Sequence, residues 1–190
     1  MQRKAYTLLE IMLVLAILVI VAGLSYPTIR SAYTSYKVRA GTDAVRTGFA
    51  HARGHAIGES RRYRFSYLTG KGNFRVAPDA PEFWSGNAPP TDDNNPAFIY
   101  EGVLPNGITF NIEGAPVDKS GLTSLPPESI TPDQYVTLAI FESDGTSHGT
   151  DKDDVFITLS LQDDDGQDVG QPLTVSLRGL TGTSTVRKGR

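Results

Sequence analysis

The chain has no cysteine, which excludes disulfides, thiolate zinc sites and cysteine nucleophiles. That absence suits a periplasmic protein as well as a cytosolic one and leaves the compartment open. A charge excess is missing too. The 18 Lys and Arg stand against 21 Asp and Glu, a net −3, which argues against a general nucleic-acid coat. No internal repeat and no catalytic constellation stand out, so an enzyme is the least favoured class and no cofactor is expected. At 190 residues there is room for one ordinary domain and an accessory segment.

Long apolar runs are absent with one exception. From Leu8 to Leu24 every residue is apolar or glycine except Glu10. Carried on through Ser25 and Tyr26 at ~1.5 Å per residue, this run reaches roughly the ~30 Å of a bilayer core. Arg3 and Lys4 precede it and Arg30 follows, so the short cationic end is expected to stay cytoplasmic while the rest crosses.

Three readings fit this N-terminus. A secretory signal would use Arg3 and Lys4 as its charged end and Val21-Ala22-Gly23 as its cleavage site, with Glu10 lying inside its hydrophobic stretch. A plain signal anchor accounts for the length but not for a carboxylate that costs ~2.5–3.5 kcal/mol at mid-bilayer, less near the interface. A cut after Ala5 would instead expose the amine of Tyr6, about one helical turn from Glu10. The carboxylate could then pair with the amine of a neighbouring subunit in a low-dielectric stack of helices.

The stretch Lys4-Ala5-Tyr6-Thr7-Leu8-Leu9-Glu10, followed by an apolar helix, resembles the signal of type IV pilins and type II secretion pseudopilins. The family usually has Gly before the cut and Phe after it, where this chain has Ala5 and Tyr6. The resemblance implies a leader at 1–5, removed by a prepilin peptidase that methylates Tyr6, and a Glu10 that aligns subunits. It implies that Pro27 is the helix-kinking proline of many pilins. Other pilins or pseudopilins, an inner-membrane assembly platform and secreted substrates become the expected partners. The chain would sit in the inner membrane with its C-terminal domain in the periplasm.

Beyond Pro27, apolar or small residues recur mostly three or four apart at Ile29, Ala32, Tyr33, Tyr36, Ala40, Ala44, Val45, Phe49, Ala52 and Ala56. This spacing predicts one helix face, with Gly58 as the stop. The expected divisions are a transmembrane part at 6–26, a periplasmic amphipathic part at 27–58 and a β domain at 59–190. Period-two patterning predicts a hairpin of Tyr63–Tyr67 and Phe74–Val76 around Gly70-Lys71-Gly72, a segment too short for a phosphate loop. Further strands are expected at Ile108–Ile112, Tyr135–Phe141, Val155–Leu161 and Leu173–Leu177, with surface loops at 78–97 and 114–133. The fold class is α+β: a long N-terminal membrane-spanning helix packed on a C-terminal antiparallel sheet domain. Phe141 to Thr146 and Leu173 to Gly182 resemble the closing region of H-type minor pseudopilins and FimT-like minor pilins.

Other candidate sites have plainer accounts. The aspartates at 163–165 and 168, and at 151, 153 and 154, suggest a calcium loop but lack the EF-hand register, and solvated turns are the readier explanation. His51 and His55 share a helix face but lack a third ligand. Arg61, Arg62 and Arg64 form one basic cluster; Arg178, Arg187, Lys188 and Arg190 form another, which would be a frayed tail or a sequence-independent DNA contact. Loss of Arg3 and Lys4 would leave 16 of the 18 basic residues against 21 acidic ones, a net −5, so DNA is the minority reading.

Overall fold

The computed structural model describes residues 7–86, 97–111, 124–126, 129–150, 154–162, 168–179 and 181–188. Its first element is a single continuous helix, α1 (Leu8–Gly58), of 51 residues, about 75 Å at ~1.5 Å per residue. Thr7 caps its start, its side chain accepting the Glu10 N–H at 3.2 Å. Gly58 is the last helical residue, but the left-handed residue that stops the helix is Ser60, at φ 52°. The Ser60 N–H donates to the Ile57 carbonyl and the Arg61 N–H to the Ala56 carbonyl, the paired bonds of a Schellman ending with serine in glycine's place.

Among the described residues nine strands follow, all paired antiparallel. One sheet has the order β3 (Tyr100–Val103), β2 (Asn73–Pro78), β1 (Tyr63–Tyr67), β5 (Val136–Phe141) and β6 (Ser147–Gly149). The other has β4 (Ile108–Asn111), β7 (Val155–Gln162), β8 (Asp168–Arg178) and β9 (Thr183–Lys188). The outer half of α1 lies against both. Val38, Val45, Phe49, Ala52 and Ala56 are buried on Phe65, Phe74, Phe141, Ile157, Val175 and Leu177. Phe49 meets Phe65 edge-on at 4.7 Å between centroids. Gly48 permits this approach, because a Cβ there would stand 2.7 Å from the Phe65 ring.

Three expectations change here. The helix face that meets the domain runs through Thr34, Val38, Thr42, Val45, Phe49, Ala52 and Ala56, whereas Ile29, Tyr33 and Tyr36 are exposed. The segments expected to be surface loops contribute a second core on the far face of the first sheet: Phe83 and Trp84 are buried with Leu68, Ala77 and Tyr135, and Leu125 and Ile130 pack beside them. The Trp84 indole N–H donates to the Pro78 carbonyl at 2.8 Å. Three strands beyond the expected ones, β3, β6 and β9, are present, and β9 places Arg187 and Lys188 in a sheet rather than a frayed tail.

Candidate assembly site on the N-terminal helix

Glu10 occupies the third position of α1, so its backbone N–H takes the Thr7 cap and its carboxylate lies in the first turn. A negative charge there is favoured by the helix macrodipole, by ~0.3–1 kcal/mol at an exposed site. The signal for this in the sequence is the spacing Thr7-Leu8-Leu9-Glu10, a Ser/Thr-x-x-Glu pattern. Glu10 is exposed, as is every residue from Thr7 to Ser25, including the large apolar side chains from Leu8 to Leu24. The helix is long and apolar enough to cross a membrane. Ala5 and Tyr6 lie outside the described residues, and α1 passes through Pro27 as one element.

Above that segment the helix has two apolar sides. At 3.6 residues per turn, Tyr33 and Tyr36 lie roughly opposite Val38 and Val45. Val38 and Val45 are 2% and 0% exposed and face the sheets, while Tyr33 and Tyr36 are 58% and 70% exposed. Lys37 joins the helix to the domain, donating to the Asn106 carbonyl at 3.1 Å while its ammonium lies 4.9 Å from the Tyr33 ring centre. Among the described residues the first buried one is Thr34, so the stretch from Ile29 to Tyr33 stands clear of the domain.

The β5–β6 turn and the end of β8 meet at the other end of the domain. Arg53 Nε donates to the Gly145 carbonyl at 3.0 Å. Gly182, at φ 57°, packs against the same carbonyl, and a Cβ on it would stand 2.3 Å away. Ser147 N–H donates to Gly179 O at 2.7 Å, and Gly179 N–H to Asp154 Oδ1 at 3.0 Å. The β5–β6 turn is set by Asp144, whose Oδ1 accepts the backbone N–H and hydroxyl of Thr146 at 2.9 and 2.7 Å. Those two bonds hold the Asp144 carboxyl below its usual range. The two sheets and the helix are thereby joined at one seam.

His51 and His55 enter an aromatic stack. The His55 ring lies parallel to Phe98 at 3.7 Å, and His51 lies 5.4 Å from Phe98 and 5.2 Å from Tyr100. The His55 Nδ1 is 2.8 Å from Glu59 Oε1. Among the described residues no group of three or more acidic or imidazole side chains is placed to hold a metal. Arg61 pairs with Glu59, Arg62 with Asp79, and Arg64 with Asp79. Gly70-Lys71-Gly72 turns the β1–β2 hairpin, with Leu68 N–H donating to Asn73 O at 2.9 Å. The aspartates 151, 153 and 163–165 lie outside the described residues. In the register of β8 and β9, Arg178 is opposite Thr183 and Arg187 opposite Thr174, on the sheet face turned away from α1. Lys188, opposite Leu173, alternates to the other face.

Residues 1–26 match the family model described as the prokaryotic N-terminal methylation motif. No curated protein and no solved structure matches the chain. The class of protein defined by this motif and by the helix-plus-antiparallel-sheet architecture is pilin-like: an N-terminal type IV pilin or pseudopilin signal, an apolar helix continuous with a domain, and a C-terminal β domain.

Proposed function

We propose that the chain is a minor pseudopilin, a structural subunit of a type II secretion pseudopilus that assists protein export across the outer membrane. The observation that carries this reading is the join between the two halves of α1. One uninterrupted helix bears a fully exposed apolar segment at one end and the buried spine of a folded domain at the other. Such a rod transmits axial force from membrane-level packing to an outward-facing domain. The leader at 1–5 is removed between Ala5 and Tyr6 by a prepilin peptidase, and the new amine is methylated. Glu10 then pairs with the N-terminus of a neighbouring subunit and selects the register, and Pro27 kinks the helix where it leaves the membrane. The precursor is anchored in the inner membrane with residues 27–190 in the periplasm. Its partners are other pseudopilins, the assembly platform and secreted substrates, and its work is mechanical rather than catalytic.

Intact-mass and N-terminal peptide analysis of the protein from its native membrane tests the pathway. A mature chain beginning at methylated Tyr6, found only when the matching peptidase is present, is the expected result. A chain cut near Gly23, or left whole, would overturn the reading. Glu10→Ala is expected to be processed while filament incorporation falls, and normal incorporation of this variant would remove the role given to the carboxylate.

A second reading, a FimT-like minor type IV pilin for adhesion, motility or DNA uptake, draws support from Arg178 and Arg187 sharing an exposed sheet face. Salt-dependent DNA binding lost in Arg178→Ser and Arg187→Ser would favour it.

A further inference from the structure

Among the described residues four strands lie at sheet edges, and three of them differ from the fourth in burial, contacts or charge. On β4, Ile108, Thr109 and Phe110 are buried. The β6 edge is closed where Ser147 bonds to the carbonyls of Gly179 and Arg178. β3 is only four residues long, carries no cation, and its one charged side chain, Glu101, is paired with Arg75 of the neighbouring strand β2. The fourth edge, β9, is different. It is bonded to β8 on one side, and among the described residues no strand pairs with the other. Five of its six residues, Thr183, Thr185, Val186, Arg187 and Lys188, are exposed, and it contains no proline or glycine to interrupt pairing. Residues 171–188 hold Arg178, Arg187 and Lys188 and no acidic residue, in a chain whose net charge is −3.

We infer that β9 is a docking edge for an extended acidic segment of a partner protein, which adds to this sheet as a fifth strand. Main-chain groups of the edge supply hydrogen bonds that any extended segment could make, and the cations supply the choice. Arg187 and Lys188 are consecutive, so they point to opposite faces of the sheet. A matching strand therefore needs two consecutive carboxylates, one for each face, followed by β-branched or hydroxyl residues beside Val186 and Thr185. This inference does not require the chain to enter a filament, so it and the pseudopilus reading can fail separately.

Fluorescence anisotropy with the full chain in detergent micelles tests it. The probe is a labelled hexapeptide of two glutamates followed by alternating valine and threonine. Binding is expected to weaken about tenfold when the glutamates become glutamines, the yield of two cross-strand charge pairs. The charge-reversed chain, Arg187→Glu with Lys188→Glu, should instead prefer a peptide with two lysines. N-methylation of alternate peptide nitrogens should abolish binding in one frame and spare it in the other, a readout that needs no change to the protein. Equal binding in both frames, no binding of the diglutamate peptide, or a single-stranded hexanucleotide displacing it as well as unlabelled peptide does would overturn the proposal.

Discussion

Glu59, the C-cap of the helix, holds the first strand to it. Its Oε2 accepts from the Tyr63 hydroxyl at 2.7 Å and from Arg61 Nε at 2.7 Å, and its Oε1 faces His55. Burial acts to raise its pKa, but the hydrogen bonds from Tyr63, His55 and Arg61 outweigh it, and the carboxyl titrates below its usual range. A depressed folded pKa contributes stability above the unfolded value of ~4.3, and that contribution is lost as pH falls through the folded pKa. Glu59→Gln should therefore flatten the acid limb of a plot of urea midpoint against pH. Tyr63 has the opposite sign. Burial and the Glu59 carboxylate push it up to about 12. Its contribution is complete below the unfolded value of ~10 and is lost as pH rises towards the folded one. Tyr63→Phe should reduce the alkaline loss without removing it, because Tyr135 is also raised to about 12, by burial and then by Glu101. Next to this network, Ser60 adopts a left-handed backbone that glycine takes without steric cost. Ser60→Gly should raise stability by about 1 kcal/mol in thermal or urea unfolding, and a fall would show that the serine is doing something its backbone does not reveal.

At the scale of elements, the helix bounds were legible in the sequence to within a residue, because nothing between Thr7 and Ser60 except Pro27 opposes helix strongly. Its facing was legible only in part. Ile29, Tyr33 and Tyr36 obey the same three-and-four spacing as Val38, Val45 and Phe49, yet they lie on the opposite side. Periodicity alone joined the two stripes, since Ala, Gly and Thr between them give little contrast. Phe49→Ala, at 2% exposure among Phe65 and Phe141, should cost ~3–5 kcal/mol. Tyr33→Ser should change the unfolding free energy of the isolated chain by no more than ~0.5 kcal/mol, leaving its unfolding midpoint in place. If it lowers incorporation into filaments while leaving that midpoint in place, the exposed stripe faces other subunits. The strands with strong alternation, β1, β5 and β7, were predicted almost whole. The missed ones have reasons. β9 is an edge with little to bury, so its Thr, Ser, Arg and Lys look like tail, and β6 is only three residues, paired with β5 and tied through Ser147 to Gly179. Phe83 and Trp84 sit in a Pro- and Asp-rich stretch whose composition signals loop, and their burial depends on partners outside it, Leu68, Ala77 and, about fifty residues on, Tyr135.

The candidate site divides along the same line at the scale of the whole molecule. Glu10 stands out only through a motif, which is local and short. The seam of Arg53, Gly145, Ser147, Gly179 and Gly182 cannot stand out in that way, because its members come from three separate regions of sequence. Those long-range contacts begin at a definite height on the helix. Everything described from Thr7 to Tyr33 outside 26–28 is exposed, and Thr34 is the first residue that the domain covers. Removing residues 1–30 therefore takes away little that holds the domain together, and it removes the apolar surface that demands a membrane. The truncated chain should be soluble without detergent, with near-UV circular dichroism and a melting temperature close to those of the full chain in micelles. Removing residues 1–46 deletes Val38 and Val45, both buried in the main core, and uncovers the faces of the two sheets. At ~1.5–3 kcal/mol for each buried side chain lost, against a typical total of ~5–15 kcal/mol, that shorter piece should not hold a cooperative fold. A first truncation that unfolds would mean that the exposed helix stabilises the domain through contacts made outside the single chain. A second truncation that melts cooperatively at the same temperature would mean that the sheets close without the helix.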